Sequence, residues 1–94
     1  MAHLAIRHRV RDYVAWKRVF DEFAPQRRAA GEIDYQIFDV DGDRNHIAII
    51  QEWTSLENAK AFISSDALKE AMGKAGVEGE PTILFLNAGD SGKP

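Results

Sequence analysis

HIAIIQEW, residues 46–53, and PTILFLN, residues 81–87, are rich in β-branched and aromatic residues, which predicts that both segments are strands. Successive side chains of a strand point to opposite faces of its sheet. In both segments the positions that point to one face and the positions that point to the other are both largely apolar, as the adjacent residues Ile49 and Ile50 illustrate. A sheet with one face in water would alternate apolar and polar residues instead. The sequence therefore predicts a sheet that is covered on both faces.

Two further strands and one long helix precede residue 46. Period-two alternation predicts a strand over His3–Val10, and a high content of β-forming residues predicts another over Ile33–Val40. Turn-forming residues at 41–45 join the second of these to residues 46–53 in a hairpin. Apolar residues at helical spacing predict a helix after Asp12 that ends at Gly31. Pro25 lies inside this segment and should bend or interrupt the helix over residues 21–24, because proline removes one backbone donor.

A second helical region follows the strand at residues 46–53. Residues 54–57 (TSLE) have the spacing of a capping box, and residues 64–66 (SSD) offer a second cap. These two signals predict two short helices in series, the second of them ending at Gly76. Residues 88–94 are small and polar, and we expect them to form a mobile tail.

The order strand, helix, strand, strand, helix, strand predicts an α+β fold of the ferredoxin-like βαββαβ type, with helices on one face of a four-stranded antiparallel sheet. Residues 1–87 should form a single domain. The second apolar face then needs a partner, and a second copy of the chain is the commonest answer. The sequence has no cysteine, which removes disulfides as another source of stability for so small a domain. We therefore predict a homodimer.

Composition limits the other partners. The formal net charge is −3, and the longest apolar run is far shorter than the roughly 18 residues of a membrane span, so we predict a cytoplasmic protein without a membrane partner. Several arginines could suggest nucleic-acid binding, but the predicted strands lack the central aromatic residues on which RNA-binding sheets stack bases. We predict no nucleic-acid partner and assign the arginines to ion pairs at the subunit interface, namely Arg7, Arg9, Arg11, Arg27 and Arg28.

His8 is the first candidate functional residue, because it interrupts the apolar side of the first strand formed by Leu4, Ile6 and Val10. A buried histidine needs a polar partner or a ligand. His8 is accordingly either a core residue with a hydrogen-bonded partner or part of a ligand site. A metal pair with His46 would still lack a third ligand, and we predict no metal site.

Residues 12–31 (DYVAWKRVFDEFAPQRRAAG) and 52–86 (EWTSLENAKAFISSDALKEAMGKAGVEGEPTILFL) resemble the dimeric α/β-barrel superfamily, in particular antibiotic biosynthesis monooxygenases and small cyclase-like proteins. The likeness covers residues 3–87. It implies a dimeric α/β barrel. Members of this superfamily include cofactor-free oxygenases, haem-degrading enzymes, isomerases and many proteins of unknown role, so the resemblance implies a fold more than an activity.

The resemblance also implies a small-molecule pocket between the sheet and the helices. Its candidate lining residues are His8, Trp16, Phe20, Tyr35, Trp53 and Phe62, although aromatic residues at these spacings are also ordinary core residues. Haem-degrading relatives use a histidine in the helical region after the third strand, and residues 56–76 contain none, so we expect no cofactor.

Two functions remain open from the sequence. The first is a cofactor-free monooxygenase or related enzyme acting on an aromatic or polyketide-like molecule, with His8 or Tyr35 as the group that transfers a proton. The alternative is a non-catalytic dimer that binds an apolar or aromatic ligand or has a stress-related role.

Overall fold

A computed structural model describes residues 2–94 of the chain. The elements are β1 (Ala2–Val10), α1 (Tyr13–Glu22), α2 (Ala24–Ala30), β2 (Glu32–Val40), β3 (Asp43–Trp53), α3 (Leu56–Ile63), α4 (Asp66–Ala75) and β4 (Val77–Asn87). The sheet has the order β2-β3-β1-β4 with every neighbouring pair antiparallel, and the helices cover one face. This arrangement confirms the predicted ferredoxin-like α+β fold.

The interruption predicted in the first helical region is present, and it separates α1 from α2 at Phe23. Pro25 lies in the first turn of α2, where its missing N–H costs no helical hydrogen bond. Gly31 ends α2 with φ +124°, and an added Cβ would stand only 2.5 Å from the Thr54 hydroxyl. The close approach is fixed by a hydrogen bond of 2.9 Å from the Thr54 N–H to the Gly31 carbonyl. Glycine is therefore required where α2 turns into β2.

Two predicted strand boundaries differ from the structure. The hairpin turn is shorter than residues 41–45, because Asp41 and Gly42 both have positive φ and form a tight two-residue turn. β4 begins at Val77, whereas the composition predicted a strand only from residue 81. The missed residues pair with β1 across a register shift, beside which Gly79 has φ +70°.

The capping box predicted at residues 54–57 is displaced by one residue. The Ser55 side chain accepts a hydrogen bond of 3.0 Å from the Asn58 N–H and caps α3. Thr54 instead accepts from the Asn58 side-chain amide at 2.9 Å. The predicted cap of α4 is confirmed, since Ser65 accepts from the Leu68 N–H at 3.2 Å. Gly76 ends α4 in the left-handed conformation, as predicted.

The two faces of the sheet have different environments. The inner face packs against the helices through two groups of buried apolar residues, one around Leu4 and Trp53 and the other around Trp16 and Ile47. Large apolar side chains on the outer face are exposed, namely Phe38, Ile50, Leu84 and Leu86. Within residues 2–94, no helix is both long enough and apolar enough to cross a membrane.

Candidate functional site

A cavity lies between the inner face of the sheet and the helices. Its volume, counted as space for the centre of a water-sized sphere, is about 80 Å³. One water needs roughly 10–15 Å³ in the same measure, so the cavity has room for a small organic group. Most of the wall is apolar, and the polar residues of the wall are His8, Arg27 and Gln51. Side chains of α4 and β4 close it on one side, namely Leu68, Ala71, Met72, Ala75, Pro81 and Ile83.

His8 reaches this cavity because it occupies an inward-facing position of β1, opposite the fully buried Ile47 of β3. The side chain is buried, with its ring edge against Trp16 at a centroid distance of 5.8 Å. Its Nδ1 atom is buried and has no hydrogen-bond partner within residues 2–94. Such an atom is rare in a folded protein, where buried polar groups are nearly always paired.

The pKa of His8 is lowered from its ordinary value of 6.5, first by burial and also by the nearby charge of His46. Burial disfavours the charged imidazolium because a charge is poorly solvated in an apolar interior. His8 is therefore a neutral imidazole at neutral pH, and a neutral imidazole can accept a proton or a hydrogen bond.

Arg27 is the second polar group at the cavity, and only 2 % of its surface is exposed. It extends from α2 over the ring of Phe20, with the guanidinium carbon 3.6 Å from the ring centroid. Nη1 donates to the backbone carbonyl of Phe20, and Nε donates to Oε1 of Glu32 at 2.9 Å. The guanidinium is thus held in place by stacking on an aromatic ring and by donating two hydrogen bonds to two different acceptors.

A chain of hydrogen bonds continues from Arg27 into the sheet. The second carboxylate oxygen of Glu32 accepts from the Gln51 side-chain amide at 2.6 Å. Gln51 in turn accepts from the indole N–H of Trp53 at 3.2 Å. Glu32, Gln51 and Trp53 are all on the inner face, so the chain lies beneath the helices. Each member restricts the next, which holds Arg27 in one orientation.

The structure brings four of the six predicted lining residues to the cavity wall: His8, Trp16, Phe20 and Phe62. Tyr35 lies outside the wall, is 42 % exposed, and meets Phe20 edge-on at 4.9 Å. Trp53 is fully buried beside the cavity and is connected to it through Gln51. Ligand binding by these residues stays a prediction.

The metal pair considered for His8 and His46 is not formed. β1 and β3 pair His46 with Arg9, one position along from His8, so the two imidazoles are on opposite faces of the sheet. Within residues 2–94 no three metal-ligating side chains of histidine, cysteine, aspartate or glutamate are grouped together.

The assignment of Arg27 to a subunit interface is wrong, because Arg27 pairs with Glu32 inside its own chain. Arg9 also finds a partner within the chain, at 3.4 Å from Asp43 on the exposed surface. The sequence interpretation missed Arg27, Glu32 and Gln51 as members of the site. One signal was available for Gln51, which interrupts the inward-facing apolar series of β3 just as His8 interrupts that of β1.

Comparison with known proteins gives matches in structure alone. No family model and no curated protein matches the sequence. The cofactor-independent oxygenase SnoaB from Streptomyces nogalater has a TM-score of 0.77 and 13 % identity, over 96 % of this chain and 94 % of that one. A provisionally assigned antibiotic biosynthesis monooxygenase from Caulobacter crescentus has a TM-score of 0.73 and 19 % identity, over 95 % and 90 % of the two chains.

A provisionally assigned antibiotic biosynthesis monooxygenase from Deinococcus radiodurans gives a TM-score of 0.73 at 14 % identity, over 100 % of this chain and 98 % of that one. At such identities the similarity establishes the fold and no activity. The chain has the ferredoxin-like fold of the antibiotic biosynthesis monooxygenase-like proteins, as the sequence resemblance implied.

Proposed function

We propose that this protein binds a small phenolic or enolic aromatic molecule in the cavity and oxygenates it with molecular oxygen, without a bound cofactor. The observation that carries the proposal is His8: a neutral imidazole with a buried, unpartnered Nδ1 at the wall of an apolar cavity. An apolar wall with few polar groups is typical of small-molecule sites. The structural similarity to a cofactor-independent oxygenase supports the same reaction class.

The reaction needs an electron-rich substrate and a base. His8 takes the proton of the phenol or enol O–H, and the resulting anion gives one electron to O2. The substrate radical and superoxide then combine, which forms a carbon–oxygen bond at the C–H carbon conjugated with that oxygen, the carbon that is a CH2 group in the keto tautomer of the substrate. His8 returns its proton to the peroxide, and the hydroperoxide, whose carbon still carries one hydrogen, loses water to leave a carbonyl. Overall the CH2 group of the keto tautomer and O2 become a carbonyl group and water.

Tyr35, the other candidate for proton transfer, is a poor base here. It lies outside the cavity wall and is 42 % exposed, so its hydroxyl would have to reach a substrate held behind Phe20. We therefore assign proton transfer to His8 alone.

An oxygen electrode tests the reaction. Phenols and enols of one to three rings are offered to the wild-type protein and to His8→Asn, with His46→Asn as the matched control on the opposite face of the sheet. We expect oxygen uptake with at least one compound, and we expect about a hundredfold loss in His8→Asn, as for removal of a general base. The His46→Asn variant should keep its activity. Equal uptake by the wild-type protein and His8→Asn would contradict the role of His8.

Binding without turnover is the second candidate function, and the mainly apolar wall of the cavity favours it. A hydrophobic cavity binds ligands by burial alone and needs no base. Saturable binding of the same compounds with no oxygen uptake by any of them would select this function and exclude the oxygenase.

We also propose that the protein is a homodimer joined through the outer face of the sheet. Leu84 is 54 % exposed and Ile50 is 37 % exposed, although both lie within strands and beside apolar neighbours such as Ala5. Exposed apolar side chains grouped on one face favour association, and a symmetric pairing of two such sheets buries both faces. Sedimentation at micromolar concentration should give a dimer, and a species of 10.5 kDa would contradict it.

A further inference from the structure

We propose that Arg27 determines specificity at the cavity by donating a hydrogen bond from Nη2 to a neutral carbonyl or phenolic oxygen of the ligand. This inference rests on the proposed small-molecule site, and it adds the class of polar group that the ligand must carry. The site would then select an uncharged aromatic ketone or phenol over both a hydrocarbon and a carboxylate.

The first argument is the unused donor capacity of Arg27. A guanidinium has five N–H donors in one plane and no acceptor. Nε donates to Glu32 and Nη1 donates to the Phe20 carbonyl, whereas Nη2 makes no hydrogen bond to any residue between 2 and 94. Arg27 is nevertheless almost fully buried and forms part of the cavity wall. A ligand oxygen in the cavity would satisfy this donor.

The second argument is charge. Glu32 lies 2.9 Å from the Arg27 Nε atom, and the side chains of the pair are only 3 % and 8 % exposed. The buried pair therefore carries no net charge. A carboxylate in the cavity would add an uncompensated negative charge to an apolar interior, which is costly. A neutral acceptor oxygen gains the strong hydrogen bond from the guanidinium without that cost.

The third argument is the placement of Arg27 relative to His8. His8, Trp16, Phe20 and Arg27 follow one another along one aromatic row, with successive separations of 5.8, 4.9 and 3.6 Å. The base and the donor are therefore at opposite ends of the row and contact different parts of a ligand. When His8 removes a proton, negative charge spreads to the oxygen at Arg27, where a preorganised donor stabilises it.

Binding of three one-ring probes tests the inference. Ethylbenzene, acetophenone and benzoate have nearly the same shape and differ in carrying no oxygen, a neutral oxygen or a charged carboxylate. NMR titrations are made with the wild-type protein, with the double variant R27M/E32Q and with the exposed neighbour control R28M. The double variant removes the whole ion pair, so no buried charge is left alone, and glutamine at position 32 still accepts from Gln51.

We expect the wild-type protein and R28M to bind acetophenone about tenfold more tightly than ethylbenzene, and benzoate no more tightly than acetophenone. In R27M/E32Q the advantage of acetophenone should disappear while ethylbenzene binds as before. Retention of that advantage in a folded double variant would overturn the inference. Benzoate as the tightest ligand of the wild-type protein would overturn it as well, because it would reveal an anion site.

The wild-type protein provides a readout that needs no variant. The side-chain nitrogen signals of Arg27 should shift on addition of acetophenone and stay in place with ethylbenzene. Unmoved signals at saturating acetophenone would refute the contact. These measurements need no turnover, so a failure of the oxygenase proposal and a failure of the Arg27 contact are distinguishable.

Discussion

The two faces of the sheet depart in opposite ways from the pattern expected of a monomer: the buried inner face contains polar residues, and the exposed outer face contains large apolar residues. The inner face, covered by helices, holds His8, Gln51 and Glu32 among its apolar residues. The outer face, which no part of residues 2–94 covers, exposes Ile50 and Leu84. A monomer would gain stability from the reverse distribution, because burying polar groups is costly and burying apolar surface is favourable.

Each departure has its own explanation. His8 and Gln51 line the cavity, and Glu32 is hydrogen-bonded to Gln51 and to Arg27 of the same wall. Polar groups in an otherwise apolar interior are typical of functional sites. The apolar groups of the outer face do not surround a cavity, and they contribute to stability only if a second surface buries them. The inner face is accordingly a candidate site, and the outer face is a candidate interface.

The largest effect should come from breaking the ion pair of the inner face. Glu32→Ala leaves the Arg27 charge buried and alone, and we expect the free energy of unfolding to fall by about 3–5 kcal/mol. Urea unfolding at fixed protein concentration measures it. The control is Asp21→Ala, which breaks the exposed ion pair with Lys17 and should cost about 0.5 kcal/mol or less. Similar losses in the two variants would contradict the buried role of Glu32.

Trp16→Ala should give the next largest loss. Trp16 is 3 % exposed and stacks on Phe20 at 4.9 Å, so its removal should lower the free energy of unfolding by about 3 kcal/mol, the lower end of the range for large aromatic core residues. The lower end applies because part of the indole already faces the cavity. Thermal and urea unfolding check the value. A loss below about 1 kcal/mol would mean that the helix face is not packed on the sheet.

Ile50→Lys should alter assembly while leaving the inner face intact. Two lysines placed against each other in a symmetric apolar interface repel and must be desolvated, so we expect the dimer dissociation constant to rise by about a hundredfold. Sedimentation over a concentration series measures this change. Val14→Lys is the matched control, because Val14 is 58 % exposed on α1, away from the outer face. Equal weakening by both variants would exclude the outer face as the interface.

His8→Asn should have the smallest effect on stability. Since Nδ1 has no partner, the substitution leaves no broken hydrogen bond behind, and the loss at pH 8 should stay below about 1 kcal/mol. Scanning calorimetry with His46→Asn as a control checks it. A larger loss would identify His8 as an ordinary core residue.

The pH dependence of stability is a separate signature of His8. Its pKa is lowered in the folded protein from 6.5, so below that pH the unfolded chain binds a proton that the folded chain resists. Stability should therefore fall as the pH falls through 6.5 toward the folded pKa, with a slope of up to about 1.4 kcal/mol per pH unit. The slope should be smaller in His8→Asn. An identical pH profile in the two proteins would contradict the lowered pKa.

The site could be predicted in part. His8 was identifiable because a polar residue stands out in a strand that alternates regularly. Arg27 could not be identified in this way, because nothing in a helical sequence distinguishes an arginine that is buried against the sheet from one that extends into solvent. Its pairing with Glu32 depends on the tight turn at Gly31, which brings the end of α2 onto the start of β2.

Local sequence accounts for the order of strands and helices, the interruption before Pro25, the end of α2 at Gly31 and the apolar residues on both faces of the sheet. These features follow from local periodicity, proline and glycine geometry, and side-chain alternation, all of which act between residues near in sequence. Only the folded chain shows the short hairpin turn, the start of β4, the separation of His8 from His46, and the cavity with its buried Arg27. These depend on strand register and on the packing of the helices against the sheet, which contacts between distant residues determine.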